Sequence, residues 1–134
     1  MFARILVPLD ASSVDTLVKE PVRALAKAFG SEVIVLRVAH YHTRDGRAHE
    51  VSEAEDCAAQ FAAELAAEGV CTRSLVAHGE IVETIIKAAE QEQADLIVMA
   101  GHGHSHVAGW LLGSTIEDVR HRCDVPLLLI KGTR

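Results

Sequence analysis

The chain of 134 residues has few of the features that mark secreted or membrane proteins. Its three cysteines, Cys57, Cys71 and Cys123, are widely spaced and odd in number, so they predict reduced thiols and no disulfide framework. No apolar run approaches the roughly 20 residues of a membrane-spanning helix. The N-terminus passes directly into a strand-like segment and lacks a signal-peptide pattern. These absences favour a cytoplasmic protein without a membrane partner.

Positive charge is also scarce. The chain has 13 Lys and Arg against 19 Asp and Glu, a formal net charge of -6, and its basic residues are scattered. A nucleic-acid interface needs clustered basic residues, so the charge pattern argues against a nucleic-acid partner. What remains is an ordinary globular composition, 49% apolar, which predicts a single domain over residues 1–134.

Two hydrophobic periods alternate along the chain. Short apolar runs predict five strands, and the first of them is expected to end at Pro8. Amphipathic stretches between the runs predict helices, several of which end at a glycine. The first helix has an apolar face formed by Leu17, Val18, Val22, Leu25, Ala26 and Phe29, and the predicted strands are centred on Ile5–Val7, Val33–Val38, Cys71–Ala77, Leu96–Ala100 and Val125–Ile130.

This alternation predicts an α/β fold. Right-handed crossovers generate a doubly wound, five-stranded parallel sheet with helices on both faces. We expect the strand order 3-2-1-4-5 with the first strand central, in a fold of the flavodoxin-like or adenine-nucleotide-alpha-hydrolase-like kind. In such a sheet a ligand binds beyond the carboxyl ends of the strands where the order reverses, here between the first and fourth strands.

A glycine-rich loop follows the fourth strand at that position. Gly101, Gly103 and Gly109 lie in the loop, and Gly113 precedes Ser114 at the start of a predicted helix. Glycine allows backbone N–H groups to approach phosphate oxygens closely, and a helix N-terminus attracts anions. The spacing from Ser114 to Glu117 also fits a capping box, so turns and a simple helix cap explain the same pattern equally well.

The loop resembles a known nucleotide motif. Ala100, two residues, Gly103, nine residues, then Gly113-Ser114 is similar to the G-x2-G-x9-G-[S/T] motif of the universal stress protein family. The opening Ile5–Asp10 and the closing Asp124–Ile130 resemble the same family, so the similarity extends over nearly the whole chain. One position departs from the motif, because Ala100 replaces its first glycine. Positive φ at that position would strain Ala100, whereas a strand conformation would not.

The resemblance implies a dimeric stress-response regulator that binds ATP, AMP or ADP, with Mg²⁺ as the accompanying ion. It places Asp10 and its neighbours on the nucleotide, Val38 against adenine, and the Gly113 segment at the phosphates. The implied binding residues are Pro8, Leu9, Asp10, Val38, Met99, Ala100, His102, Gly103, Gly113, Ser114 and Thr115.

Two other functions remain open. A scaffold of the same fold would form dimers without a nucleotide, and a third possibility is slow ATP hydrolysis or phosphate transfer onto Ser114. The chain has no P-loop and no G-x-S-x-G elbow, and Asp10–Ser13 lacks the Gly-Gly of the ATP pyrophosphatases. We therefore expect a protein that is not an enzyme, and we assign no catalytic residues.

Histidines are concentrated near the predicted carboxyl edge. Six of the eight fall near strand ends, and His102, His104 and His106 alternate, so an extended segment would direct them to one side. Such a set could hold Zn²⁺, Ni²⁺ or Cu²⁺, although histidine is also a common polar loop residue. Protonation near pH 6–7 would strengthen phosphate binding.

The last strand is predicted to form an edge of the sheet. The segment Val125–Ile130 is apolar throughout, and an unpaired apolar edge favours pairing with another strand. We expect a homodimer in which this strand pairs with its copy across a two-fold axis.

Overall fold

The computed structural model describes residues 1–9, 15–39, 44–102 and 113–132. Its elements form one parallel sheet in the order β3-β2-β1-β4-β5, which confirms the predicted fold and strand order. The elements in chain order are β1 (Arg4–Leu9), α1 (Asp15–Phe29), β2 (Glu32–Ala39), α2 (Arg44–Ala67), β3 (Cys71–His78), α3 (Ile81–Gln91), β4 (Leu96–His102), α4 (Gly113–Arg122) and β5 (Leu127–Gly132).

Two hydrophobic cores lie on opposite faces of the sheet. On β2, Val33 and Val35 pack with residues of α1 and α2, whereas Ile34 and Leu36 pack with residues of α3 and α4. This alternation follows from the two-residue period of a strand. The helices therefore cover both faces, two on each, as predicted. Among the described residues, no helix has both the length and the apolar character needed to cross a membrane.

The predicted apolar face of α1 is partly wrong. Val18, Val22 and Ala26 are buried, but Leu17 is 37% exposed and Phe29 is 45% exposed. Phe29 is the last residue of the helix and lies edge-to-face against Phe2, with ring centroids 5.4 Å apart. The aromatic side chain therefore covers the amino edge of the sheet and does not enter the core.

Several element boundaries also differ from what the sequence pattern favours. The strand β4 continues to His102, so Gly101 lies in the strand and not in the loop. The backbone is helical from Arg44, although Asp45-Gly46 favours a turn. A single glycine costs about 1 kcal/mol in a helix, and the neighbouring Arg, Ala and Glu residues are good helix formers. The last strand, predicted over Val125–Ile130, begins at Leu127 and continues to Gly132, because its pairing with β4 starts at Leu127.

A polar junction closes the amino edge of the sheet, opposite the predicted ligand site. The Asp95 carboxylate accepts hydrogen bonds from the backbone N–H groups of Ala3 (2.9 Å) and Arg4 (3.0 Å). The Asp95 backbone N–H donates in turn to the Arg4 carbonyl (2.9 Å). Asp95 thus joins the start of β1 to the start of β4.

Candidate functional site

The reversal of strand order falls between β1 and β4. From β1 the chain proceeds outward to β2 and β3, and it then returns to the other side of β1 to form β4 and β5. The helices that follow β1 and β4 lie on opposite faces of the sheet, because α1 packs in one core and α4 in the other. In doubly wound sheets such a reversal forms a crevice at the carboxyl edge, which is where the sequence predicts a ligand.

Pro8 explains why the pairing between β1 and β4 ends early at this point. Alternate residues of a parallel strand direct their backbone groups to opposite neighbours. The Ala3 carbonyl accepts from Glu32 N, and the Arg4 carbonyl accepts from Asp95 N, so even-numbered residues of β1 are directed towards β4. Pro8 therefore offers β4 no N–H.

The observed register agrees with this geometry. Pairing between β1 and β4 covers Ile5 with Leu96 and Leu6 with Ile97, whereas β1 remains paired with β2 as far as Leu9. The prediction that β1 ends at Pro8 is therefore wrong, because the missing N–H interrupts only one of its two ladders. The interrupted ladder is the one at the reversal point, so the backbone groups of β4 opposite Pro8 are not paired with β1.

Four of the predicted binding residues are apolar and lie at the carboxyl edge, with Leu9 and Ala100 in one core and Val38 and Met99 in the other. Leu9, Val38, Met99 and Ala100 lie at or near the carboxyl ends of β1, β2 and β4, and each is at most 2% exposed. Side chains that are this deeply buried offer a ligand little more than an apolar surface. Specific contacts at these positions would come from the backbone groups beyond the last paired residues.

Ala100 has a strand conformation. It pairs with Ile130 of β5, and it is not among the described residues with positive φ. Its methyl group is buried, with 1% of the residue exposed. The departure from the glycine of the motif therefore causes no backbone strain.

The helix α4 begins at the far side of the crevice. Gly113 is its first residue, so Ser114 and Thr115 lie in its first turn and Ser114 does not precede the helix as an N-cap. The Glu117 carboxylate contacts Arg120 and His121 instead, and the hydrogen bond from Arg120 is the main cause that lowers the pKa of Glu117. The first turn of a helix has unpaired backbone N–H groups, so these three residues provide donors for an anion.

Several predicted site residues lie outside the described residues. These are Asp10, Gly103, His104 and His106. His102 is the last residue of β4 and His78 the last of β3, so both histidines lie at the carboxyl edge as predicted. No group of three potential metal ligands occurs within the described segments.

One charged residue at this edge was not predicted from the sequence. Arg37 lies in β2, paired with Leu9 on one side and Val76 on the other. Its Nη1 donates to the carbonyl of Val38 (3.1 Å), and its Nε is buried without a hydrogen-bond partner in the described parts of the chain. A charged residue within the apolar run Val33–Ala39 was the signal that could have identified it.

These features define a doubly wound α/β domain whose strand order reverses between β1 and β4, with a helix N-terminus beyond β4. The chain belongs to the universal stress protein family, whose model matches residues 1–131. The family resemblance of the glycine motif and of the two terminal segments is thereby confirmed.

Individual relatives share most of the length of the chain. Universal stress protein MJ0577 of Methanocaldococcus jannaschii is 26% identical, and the match covers 98% of this chain and 96% of that protein. A solved structure of MJ0577 covers 100% of this chain and 99% of its own, with a TM-score of 0.82 and 28% identity.

Two more distant structures share the fold. A universal stress protein of Archaeoglobus fulgidus, solved in complex with dAMP, has a TM-score of 0.76 at 21% identity and covers 98% of this chain and 100% of its own. A universal stress protein solved in complex with cAMP has a TM-score of 0.75 at 22% identity and covers 95% of each chain.

Proposed function

We propose that this chain binds an adenine nucleotide at the carboxyl edge of its sheet and acts as a dimeric regulator in a stress response. The observation that carries the proposal is the start of α4 at Gly113, directly beyond the crevice between β1 and β4. In this arrangement the phosphates contact the first turn of α4, and Mg²⁺ neutralises part of their charge. The base lies across the crevice, towards β2.

The shape of the crevice supports this orientation. The strands β2 and β4 lie on either side of β1, roughly 10 Å apart at the usual spacing of paired strands. Val38 of β2 and Met99 of β4 belong to the same core, and their apolar side chains suit the face of a purine ring. The complexes of fold relatives with dAMP and cAMP add support, because both ligands are adenine nucleotides.

Release of bound nucleotide is the direct test. The purified protein is denatured and the released small molecules are separated by chromatography, and stripped protein is then titrated with Mg-ATP by calorimetry. We expect an adenine nucleotide in the released fraction and saturable binding to the stripped protein. If no nucleotide is released and millimolar Mg-ATP produces neither heat nor a thermal shift, the proposal fails and a nucleotide-free scaffold becomes the better description.

A matched pair of variants locates the site. Gly113→Leu places a bulky side chain at the start of α4, where it would block the approach of phosphate to the backbone donors. Ala63→Leu adds a side chain of the same size at an exposed position of α2. We expect the first variant to lose nucleotide binding while remaining folded, and the second to bind as the wild type does. Equal binding by both variants would contradict the site.

The proposed activity is binding and not turnover. The described residues at the crevice are mainly buried apolar side chains and backbone groups, and these do not activate a nucleophile. Incubation with Mg-ATP is therefore expected to release phosphate no faster than a heat-denatured sample. Sustained phosphate release that Gly113→Leu abolishes would instead favour the slow hydrolase.

The dimer is proposed to form through β5, which is an edge strand of the sheet. Residues Leu127–Ile130 are half-buried in the isolated chain, and they pack on both hydrophobic cores. The outer backbone groups of the strand face away from β4 and are positioned to pair with a second copy.

A further inference from the structure

The guanidinium of Arg37 is exceptional among the described arginines. Five of the six arginines with described side chains lie within 4.0 Å of a carboxylate, as in the pairs Arg4–Glu32 and Arg73–Glu92. Within the described segments, Arg37 has no such carboxylate, and the one acceptor it contacts there is the Val38 carbonyl, through Nη1. A half-buried cation without a counter-charge is unfavourable, so this position is suited to an anion.

The Nε–H and the adjacent Nη2–H of Arg37 lie side by side and form a two-donor fork. Nη1 is bonded to Val38, Nε is buried with no hydrogen-bond partner, and no residue of the described segments accepts from Nη2. Parallel N–H donors of this kind match two oxygens of a phosphate. The hydrogen bond to Val38 also holds the fork in a fixed orientation.

The fork lies at the carboxyl edge of the sheet. Arg37 pairs with Leu9, the last residue of β1, so the Val38 carbonyl lies beyond the last pair between β1 and β2. The start of α4 lies on the opposite side of β1, beyond β4. A nucleotide whose 5′-phosphates contact α4 would therefore extend its sugar and base towards Arg37.

We propose that Arg37 binds a phosphate carried on the ribose, so that the site favours a nucleoside bisphosphate over a simple 5′-nucleotide. This inference rests on the proposed function, because it needs a nucleotide across the crevice. The general chemistry has a parallel in doubly wound dinucleotide-binding folds, where an arginine near the end of the second strand accommodates a ribose phosphate. The ligand is an adenosine 5′-phosphate with a second phosphate on its 2′ or 3′ oxygen.

The test compares three ligands on the stripped full-length chain by calorimetry at fixed ionic strength. These are AMP, adenosine 3′,5′-bisphosphate and adenosine 2′,5′-bisphosphate. We expect the wild type to bind one bisphosphate about ten-fold more tightly than AMP, because a charge-assisted bidentate contact is added. In Arg37→Met this advantage is lost, while the affinity for AMP changes less than about two-fold.

Two further variants separate the fork from general charge effects. Lys87→Met removes one positive charge from an exposed position on α3 and should retain the ten-fold advantage. Arg37→Lys retains the charge but not the fork, so about three-fold should remain. It also decides the result if Arg37→Met fails to fold, which a thermal melt would reveal.

Each remaining outcome overturns the inference. It fails if neither bisphosphate binds more tightly than AMP, if the advantage survives in Arg37→Met, or if Lys87→Met abolishes it as well. An equal loss of affinity for all three ligands in Arg37→Met would assign Arg37 to the base and refute the ribose phosphate. If the wild type binds none of the three, the proposed function fails together with the inference, whereas AMP binding without a preference refutes the inference alone.

Discussion

Removal of the Asp95 carboxylate should destabilise the fold measurably without affecting the ligand edge. In the wild type this carboxylate accepts two backbone N–H groups at 2.9 and 3.0 Å. A hydrogen bond to a charged group contributes about 1.5–3 kcal/mol when it is well shielded. The bond from Ala3 is exposed and water can replace it, so we expect Asp95→Ala to lower the free energy of unfolding by about 2 kcal/mol.

The loss should depend on pH in a defined direction. Burial acts to raise the pKa of Asp95, but hydrogen bonds from the backbone N–H groups of Arg4, Ala3 and Asp95 itself, together with the N-terminal charge, outweigh it, and the net result is a lowered pKa. A carboxyl with a lowered pKa in the folded state stabilises the protein above its unfolded pKa of about 3.9, and this stabilisation is lost as the pH falls through the folded value. The difference between wild type and Asp95→Ala should therefore be constant from pH 7 to about pH 5 and decrease below about pH 4.

Urea denaturation followed by circular dichroism between pH 7 and pH 3.5 would measure this difference. In a thermal melt at pH 7, the melting temperature of the variant should fall by about 8 °C, at about 4 °C per kcal/mol for a domain of this size. Asp118→Ala is the matched control, because Asp118 is exposed on α4, and it should change stability by less than about 0.5 kcal/mol. A loss below about 0.5 kcal/mol for Asp95→Ala, or a loss that is unchanged at pH 3.5, would refute the reasoning.

Three further predictions follow from backbone geometry. Gly79→Ala should cost about 2 kcal/mol or more in a urea melt, because φ is +134° and a Cβ would lie 3.1 Å from a side-chain oxygen. Gly30→Ala, with φ +65° and open space, should cost about 1 kcal/mol, and equal costs would contradict the argument. Ala100→Gly should lower stability by about 1 kcal/mol without raising nucleotide affinity by calorimetry, and a higher affinity would show that the missing glycine matters. Leu129→Pro should yield a monomer by light scattering, because the N–H that it removes faces away from β4. Leu128→Pro removes an N–H that faces β4 and should unfold the sheet edge. A Leu129→Pro variant that remains a dimer would exclude pairing through β5.

The hydrophobic pattern determined most of the fold. Apolar runs of four to six residues alternating with amphipathic stretches specify strands and helices, and right-handed crossovers then leave few possible strand orders. The start of α4 at the glycine motif and the edge position of β5 follow from the same pattern. The pattern did not show whether Leu17 and Phe29 are buried or exposed, because a helix of this length can bury only part of its apolar stripe.

Only the tertiary structure decided how the backbone groups are used. Pro8 was readable as a strand terminator, but which neighbour loses its N–H depends on the register of β1 with β2 and β4. In the same way, the conformation of Ala100 depends on its pairing with β5, and the buried Nε of Arg37 lacks a hydrogen-bond partner because of the groups that surround it in the fold. A sequence determines which residues are apolar and with what period, whereas hydrogen-bond partners at a sheet edge are set by strands distant in the chain, and at this edge they determine where a ligand can bind.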